Sequence, residues 1–152
     1  MLENKPSVSN QVISLAPFLN TNCKLVIKRE DLIHPYISGN KYRKLKYNLI
    51  NAKKEGFNTL LTFGGAYSNH IAAVASVGKE FGFNTIGVIR GEELIDKIDL
   101  NPTLLFAKEC GMKFLFISRK DYQLKTEKAF IDILKSKFGL FYLIPEGGTN
   151  QF

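Results

Sequence analysis

The sequence predicts an α/β fold built on a mostly parallel sheet with flanking helices. Two observations carry this. Four short apolar runs, Thr59 to Phe63, Thr85 to Ile89, Lys113 to Ile117 and Phe141 to Ile144, alternate with longer segments of helical periodicity, the rhythm of successive βαβ units. The runs TLLTF, TIGVI and KFLFI are continuously apolar rather than alternating, as befits parallel strands covered on both faces.

Taken in order, each element has its own signal. Lys24 to Glu30 (KLVIKRE) reads as one further strand outside the repeat, and the chain ahead of it carries no pattern that places it. Lys41 to Glu55 reads as a helix with Tyr42, Leu45, Leu49 and Ala52 on one face, and Gly56 stands where a helix stops. Asn69 to Phe81 repeats the pattern with Ile71, Val74 and Ala75, with Ser68 available as an N-cap and Gly82 as the stop. Pro102 after Asn101 starts a third helix that ends at Gly111. A fourth is expected from about Asp121 to Phe138, capped by Ser118 or Asp121 and striped by Phe130, Ile131 and Leu134.

Composition narrows the functional classes. With 152 residues and 45% hydrophobic content the chain has enough material for one ordinary α/β core. No run approaches the ~18 apolar residues of a membrane helix, and MLENKPSVSNQ lacks the basic and apolar regions of a secretory leader, so a cytoplasmic protein with no membrane partner is expected. Cys23 and Cys110 lie far apart without a CxxC spacing, and only His34 and His70 accompany them, so no metal site is expected. The formal charge of +7 raises the question of nucleic acid. Outside Lys24 to Lys54 the basic residues alternate with acids, as in Lys125, Glu127, Lys128 and Asp132, which describes solvated helix faces. No nucleic-acid partner is therefore expected.

Two segments break the ordinary rules, each where a loop feeds a helix. Ser38-Gly39-Asn40-Lys41-Tyr42-Arg43-Lys44 places three cations at a helix start, where the macrodipole disfavours positive charge by a few tenths to about 1 kcal/mol each. A dianionic phosphate would turn that cost into an advantage, and the dipole would favour the unprotonated Lys41 amine that Schiff-base chemistry requires. Lys44, three residues on, shares the face of Lys41 and is placed to meet an anion. The alternative is a solvated basic helix start. Gly64-Gly65-Ala66-Tyr67-Ser68-Asn69-His70 follows a strand and opens a helix, in the position of an anion nest, and a carboxylate suits it better than a polyphosphate because no GK[ST] follows. The alternative is a simple capped βα turn, with His70 an ordinary helix-start residue. Ile144 to Asn150 (IPEGGTN), after the last strand, either lines a ligand crevice or forms a turn.

KREDLIHPYISGNKYRKLKYNL and the LLTFGGAYSNHIAAVA that follows it resemble the 1-aminocyclopropane-1-carboxylate deaminase and D-cysteine desulfhydrase family, pyridoxal-phosphate enzymes of the tryptophan-synthase-β-like fold. The resemblance runs from Lys28 through Asn150. It implies that Lys41 holds pyridoxal 5'-phosphate as a Schiff base, that Lys44 lies near the cofactor phosphate, and that Asn69 hydrogen-bonds the cofactor's ring hydroxyl. It further implies that Ser68 acts at the substrate and that Asn69 and His70 share in binding a small amino acid, with the loop amides on its carboxylate. Family members of the deaminase type read GGIQSNQ where this chain has Tyr67 and His70, and the histidine is similar to the desulfhydrase side. The resemblance also implies a division into residues 1–40 belonging to a large domain, 41–145 as the small α/β domain, and 146–152 returning to a large domain that this sequence does not contain. An N-terminal fragment is therefore expected, weak in cofactor retention by itself and homodimeric in its full-length form. The competing reading is a catalytically inactive remnant, or a small-anion-binding module of the same fold.

Overall fold

The computed structural model describes residue 2, residues 7–15 and residues 22–150. Its centre is a four-stranded, wholly parallel sheet formed by β3 (Thr59–Gly65), β4 (Asn84–Arg90), β5 (Lys113–Ile117) and β6 (Tyr142–Ile144), in the spatial order β5-β4-β3-β6. The four apolar runs are thus the four strands, and the expected α/β class stands. Register runs from Thr59 opposite Asn84 to Gly65 opposite Arg90, and from Leu60 opposite Tyr142 to Thr62 opposite Ile144.

Alternate residues of the strands feed two cores. Leu60 and Ile89 pack with Leu45 and Leu49 of α1 (Gly39–Lys54), Ile71 and Val74 of α2 (Asn69–Phe81), and Leu104 and Ala107 of α3 (Pro102–Glu109). Leu61, Phe63, Ile86 and Val88 face the other way, onto Tyr122 of α4 (Arg119–Tyr122) and Leu134 of α5 (Lys128–Phe138). Helix α2 lies unusually close to the sheet. A Cβ at Gly78 would fall on the Thr85 methyl and 2.8 Å from the Phe83 carbonyl oxygen, so glycine is required inside this helix despite its poor propensity.

Helix punctuation follows the expected chemistry. The Ser68 side chain accepts from the His70 amide, and Asn101 accepts from the amides of Thr103 and Leu104 ahead of Pro102. Gly82 closes α2 in the left-handed conformation at φ 75°. The single helix expected from Asp121 to Phe138 is corrected to two. Ser118 caps α4, and the chain then passes through short-range turns, with Leu124 N donating to Asp121 O and Glu127 N to Leu124 O, before α5 begins at Lys128. The break has a packing cause: Tyr122 is buried edge-on against Phe63 at 6.0 Å, and Lys125 turns back to Glu146 at 3.5 Å.

The expected strand over Lys24 to Glu30 is β2 (Leu25–Lys28), which pairs antiparallel with an unforeseen β1 (Asn10–Ile13) in a two-stranded ribbon. No helix among the described residues is long and apolar enough to cross a membrane. Cys23 and Cys110 are not joined by a disulfide, and no group of three potential metal ligands occurs among the described residues.

Candidate active site

Strand order decides where a crevice forms. The chain adds β4 and β5 on one side of β3 and then returns to place β6 on the other, so the loops leaving β3 and β6 diverge at a topological switch point. A cleft of about 890 Å³ opens there, within the size range of small-molecule sites. Its walls include Ser38, Asn40 and Lys41 from the start of α1, Ser68, Asn69 and His70 from the start of α2, and Glu146 and Gly147 from the loop after β6. The two motifs singled out in the sequence therefore meet across one space. Of IPEGGTN, Glu146 and Gly147 line the cleft, within a short turn (Glu146–Gly148).

The remaining wall had no sequence signal as a site. Tyr36 stacks on Phe106 of α3 with ring centroids 4.7 Å apart, and both line the cleft. The loop carrying Tyr36 is pinned by His34, whose Nδ1 accepts from the amides of Tyr36 at 3.2 Å and Ile37 at 3.0 Å while Nε2 meets Glu80 at 2.9 Å.

Each candidate residue has a definite setting. Helix α1 begins without side-chain capping by Ser38, unlike α2, α3 and α4, and like α2 and α3 it has no acid in its first turn. Ser38, Asn40 and Lys41 at this helix start line the cleft. The Lys41 amine donates to the Gly147 carbonyl at 3.4 Å. Partial burial, and then the nearby charge of Lys44, holds its pKa below the ordinary lysine value. Lys44 does not line the main cleft. Its ammonium donates to Thr149 Oγ1 at 2.7 Å, on the flank of the same turn. Asn48, fully buried, braces that turn by donating to Gly148 O at 3.4 Å and accepting from Asn150.

Ser68 combines two duties, since its oxygen caps α2 and its side chain reaches the cleft, and Asn69 is exposed beside it. His70 lines the cleft from an almost fully buried position. It is 2% exposed, its Nε2 lies 2.8 Å from Thr62 Oγ1, and its Nδ1 is buried without a hydrogen-bond partner. Burial, followed by the charges of Lys41 and Lys44, pushes its pKa down to about 4, with the Pro145 carbonyl opposing. A histidine lowered on folding is neutral in the folded chain and binds more protons unfolded. Its contribution to stability is complete above the unfolded value near 6.5 and is lost as pH falls towards 4. Urea titrations should show the unfolding free energy declining across that interval, with His70→Gln flattening this part of the profile; equal slopes would place the titration elsewhere.

No family model matches the chain. Among curated proteins, a putative 1-aminocyclopropane-1-carboxylate deaminase of Thermotoga maritima is 36% identical over 131 residues, covering 84% of this chain and 40% of that protein. The mitochondrial bifunctional D-cysteine desulfhydrase/1-aminocyclopropane-1-carboxylate deaminase of Arabidopsis thaliana is 32% identical over 141 residues, covering 89% and 35%. The crystal structure of an ACC deaminase homologue superposes on 93% of this chain and 42% of its own with a TM-score of 0.73 at 29% identity. O-ureido-L-serine synthase, at 17% identity and a TM-score of 0.62 over 88% of this chain and 40% of that one, shares the fold. The chain spans about two fifths of the length of the curated relatives it matches. Sequence and fold together place it in the 1-aminocyclopropane-1-carboxylate deaminase and D-cysteine desulfhydrase family, as a counterpart of the N-terminal part of its members.

Proposed function

We propose that this chain forms the amine-bearing side of a pyridoxal-phosphate-dependent lyase or deaminase acting on a small amino acid. The observation that carries the reading is the placement of Lys41: a partly buried amine with a lowered pKa, held by one carbonyl, at an uncapped helix start across the cleft from Ser68 and Asn69. These residues fit the cofactor. Pyridoxal phosphate, when bound, supplies an aldehyde for an unprotonated amine and a ring that withdraws electrons from a substrate carbon. Lys41 would hold it covalently, Asn69 would hydrogen-bond its ring hydroxyl, and Lys44 would stand towards its phosphate.

The chain's own residues then divide the remaining work. Ser68 Oγ and the first amides of α2 receive and orient the substrate carboxylate, because backbone N–H groups at a helix start favour an anion. The Lys41 Nζ, once free, takes a proton from the substrate α-carbon. The stacked Tyr36 and Phe106 rings give one side of the cleft an apolar surface. Elimination from a D-amino acid such as D-cysteine is preferred over opening of a cyclopropane ring, on the His70 that follows Ser68 and Asn69.

We further assign residues 41–145 to a small α/β domain and residues 1–40 to a larger one, formed with the part of the relatives that this chain does not match, and we assign the full-length form to a cytoplasmic homodimer. Support for the domain division comes from the β1–β2 ribbon. Val12 is 58% exposed and Leu25, Val26 and Ile27 are each 44% exposed, whereas two strands alone are at best marginally stable.

The test is chemical trapping. Incubation with pyridoxal phosphate, borohydride reduction and peptide mapping should give one dominant adduct at Lys41. Labelling spread evenly over surface lysines would instead support an inactive or merely anion-binding fold.

A further inference from the structure

His70 is buried too deeply, and engaged too fully on one side, to be read as a simple wall of the cleft. Its partner Thr62 sits inside β3 with no exposed surface. The Thr62 hydroxyl has a single proton and lies 2.9 Å from the Ile144 carbonyl, which can only accept. We assign that proton to Ile144 and hence the hydrogen between Thr62 and His70 to His70 Nε2, the tautomer in which both contacts are hydrogen bonds. A two-step relay, from His70 Nε2–H to Thr62 Oγ1 and from Thr62 O–H to Ile144 O, thus ties the first turn of α2 to the middle of β3 and the end of β6. Nδ1 is then a bare acceptor, and it is buried without a donor.

The opposite edge of the ring meets Gly148. A Cβ there would lie 3.3 Å from His70 Cε1, 3.7 Å from His70 Nδ1 and 3.4 Å from Lys44 Cβ. Gly148 takes φ 80° and follows Gly147 at φ 75°, so the backbone turns tightly against the imidazole. The Gly147 carbonyl of this turn receives the Lys41 amine, and the neighbouring Thr149 receives Lys44. His70 therefore fills the space between the sheet and the turn on which Lys41 rests.

We propose that His70 is a positioning residue: through Thr62 on one edge and Gly148 on the other, it fixes the 145–149 turn and thereby the resting place of the Lys41 amine. The inference rests on the reading of Lys41 as the reactive amine. Loss of the Nε2–H donor frees the turn to shift, the Gly147 carbonyl leaves its place, and the amine becomes better hydrated and more fully protonated. Reactivity then falls, although neither His70 nor Thr62 touches the amine.

Trace acetylation with acetic anhydride, followed by peptide mapping, measures this on the chain itself and without cofactor. The exposed Lys53 and Lys120 serve as internal references. In the unmodified sequence Lys41 should react faster than either. His70→Leu and Thr62→Val should each lower its relative rate about three- to tenfold, the equivalent of half to one pKa unit. The double variant should be no slower than the slower single variant, because both cut one relay. His70→Gln, which keeps an N–H donor, should stay within about twofold of the starting rate. Should His70→Leu fail to fold, Thr62→Val decides alone. Unchanged Lys41 reactivity in Thr62→Val, or losses that multiply in the double variant, would overturn the positioning role. A Lys41 no more reactive than Lys53 from the outset would instead sink the Lys41 reading, and this inference with it.

Discussion

Lys41→Met is expected to lose the dominant pyridoxal phosphate adduct, leaving only the incorporation carried by surface lysines, and at the same time to make the chain about 0.5–1 kcal/mol more stable. Loss of the adduct follows from removing the amine. The gain follows from electrostatics. Lys41 lies in the first turn of α1, where no acid answers the helix's positive end and Ser38 provides no cap, and Lys44 adds a second positive charge nearby. A lysine whose pKa is lowered on folding opposes folding at any pH where it is charged in the unfolded chain, so its removal is favourable at neutral pH. Lys41 is only partly buried, so solvent screens the burial part of the effect and leaves a figure the size of one helix-terminus charge. Methionine keeps an apolar stem of similar length, so packing along the helix is retained. Urea midpoints of the two proteins measure the effect. A variant more than about 1 kcal/mol less stable than the parent would mean that Lys41 is kept for structure and not for chemistry.

Much of this architecture could be read from residues whose signal is local. Gly82 and Asn101-Pro102 mark helix ends because their backbone preferences and side-chain hydrogen bonds act over two or three residues. Continuous apolar runs mark doubly covered parallel strands for the same reason. Strand β1 was illegible because its four residues, NQVI, gain their place only by pairing with β2 across the chain. The break between α4 and α5 was equally hidden, since QLKTE contains neither glycine nor proline and the interruption is imposed by the burial of Tyr122. The candidate site divides the same way. Lys41, Ser68, Asn69 and His70 stood out because each sits in a motif that breaks a local rule, and the structure gathers them on one cleft. Thr62, Asn48 and Thr149 did not, because a threonine inside TLLTF or an asparagine on a helix face becomes informative only when β6 is placed beside β3. A polar residue inside an otherwise apolar strand was the one available hint for Thr62.

Gly64→Ala is expected to cost about 2–4 kcal/mol, whereas Gly65→Ala, one residue further along at the end of β3, should cost less than about 0.5 kcal/mol. Neither glycine has positive φ, so backbone freedom does not distinguish them. Space does. A Cβ at Gly64 would lie 2.5 Å from Ile71 Cγ1, 2.9 Å from Ile71 Cδ1 and 3.1 Å from Ser68 Cβ, while at Gly65 its nearest neighbour would be Arg90 Nη2 at 3.8 Å. Ile71 has no exposed surface and cannot retreat, so the first turn of α2 would have to move away from β3. Overpacking of this kind costs about 1–3 kcal/mol. The displacement also strains the Ser68 cap and the bond from His70 to Thr62, each worth about 1 kcal/mol. The same movement would carry Ser68 and Asn69 away from Lys41, so cofactor trapping should fall along with stability. Ile71→Ala costs stability when made alone, yet it removes both clashing atoms. The pair Gly64→Ala with Ile71→Ala should therefore lose at least about 1 kcal/mol less than the sum of its parts. Equal losses for the two glycine variants, or strict additivity in the pair, would show that close packing of α2 on β3 is not what holds the loop in place.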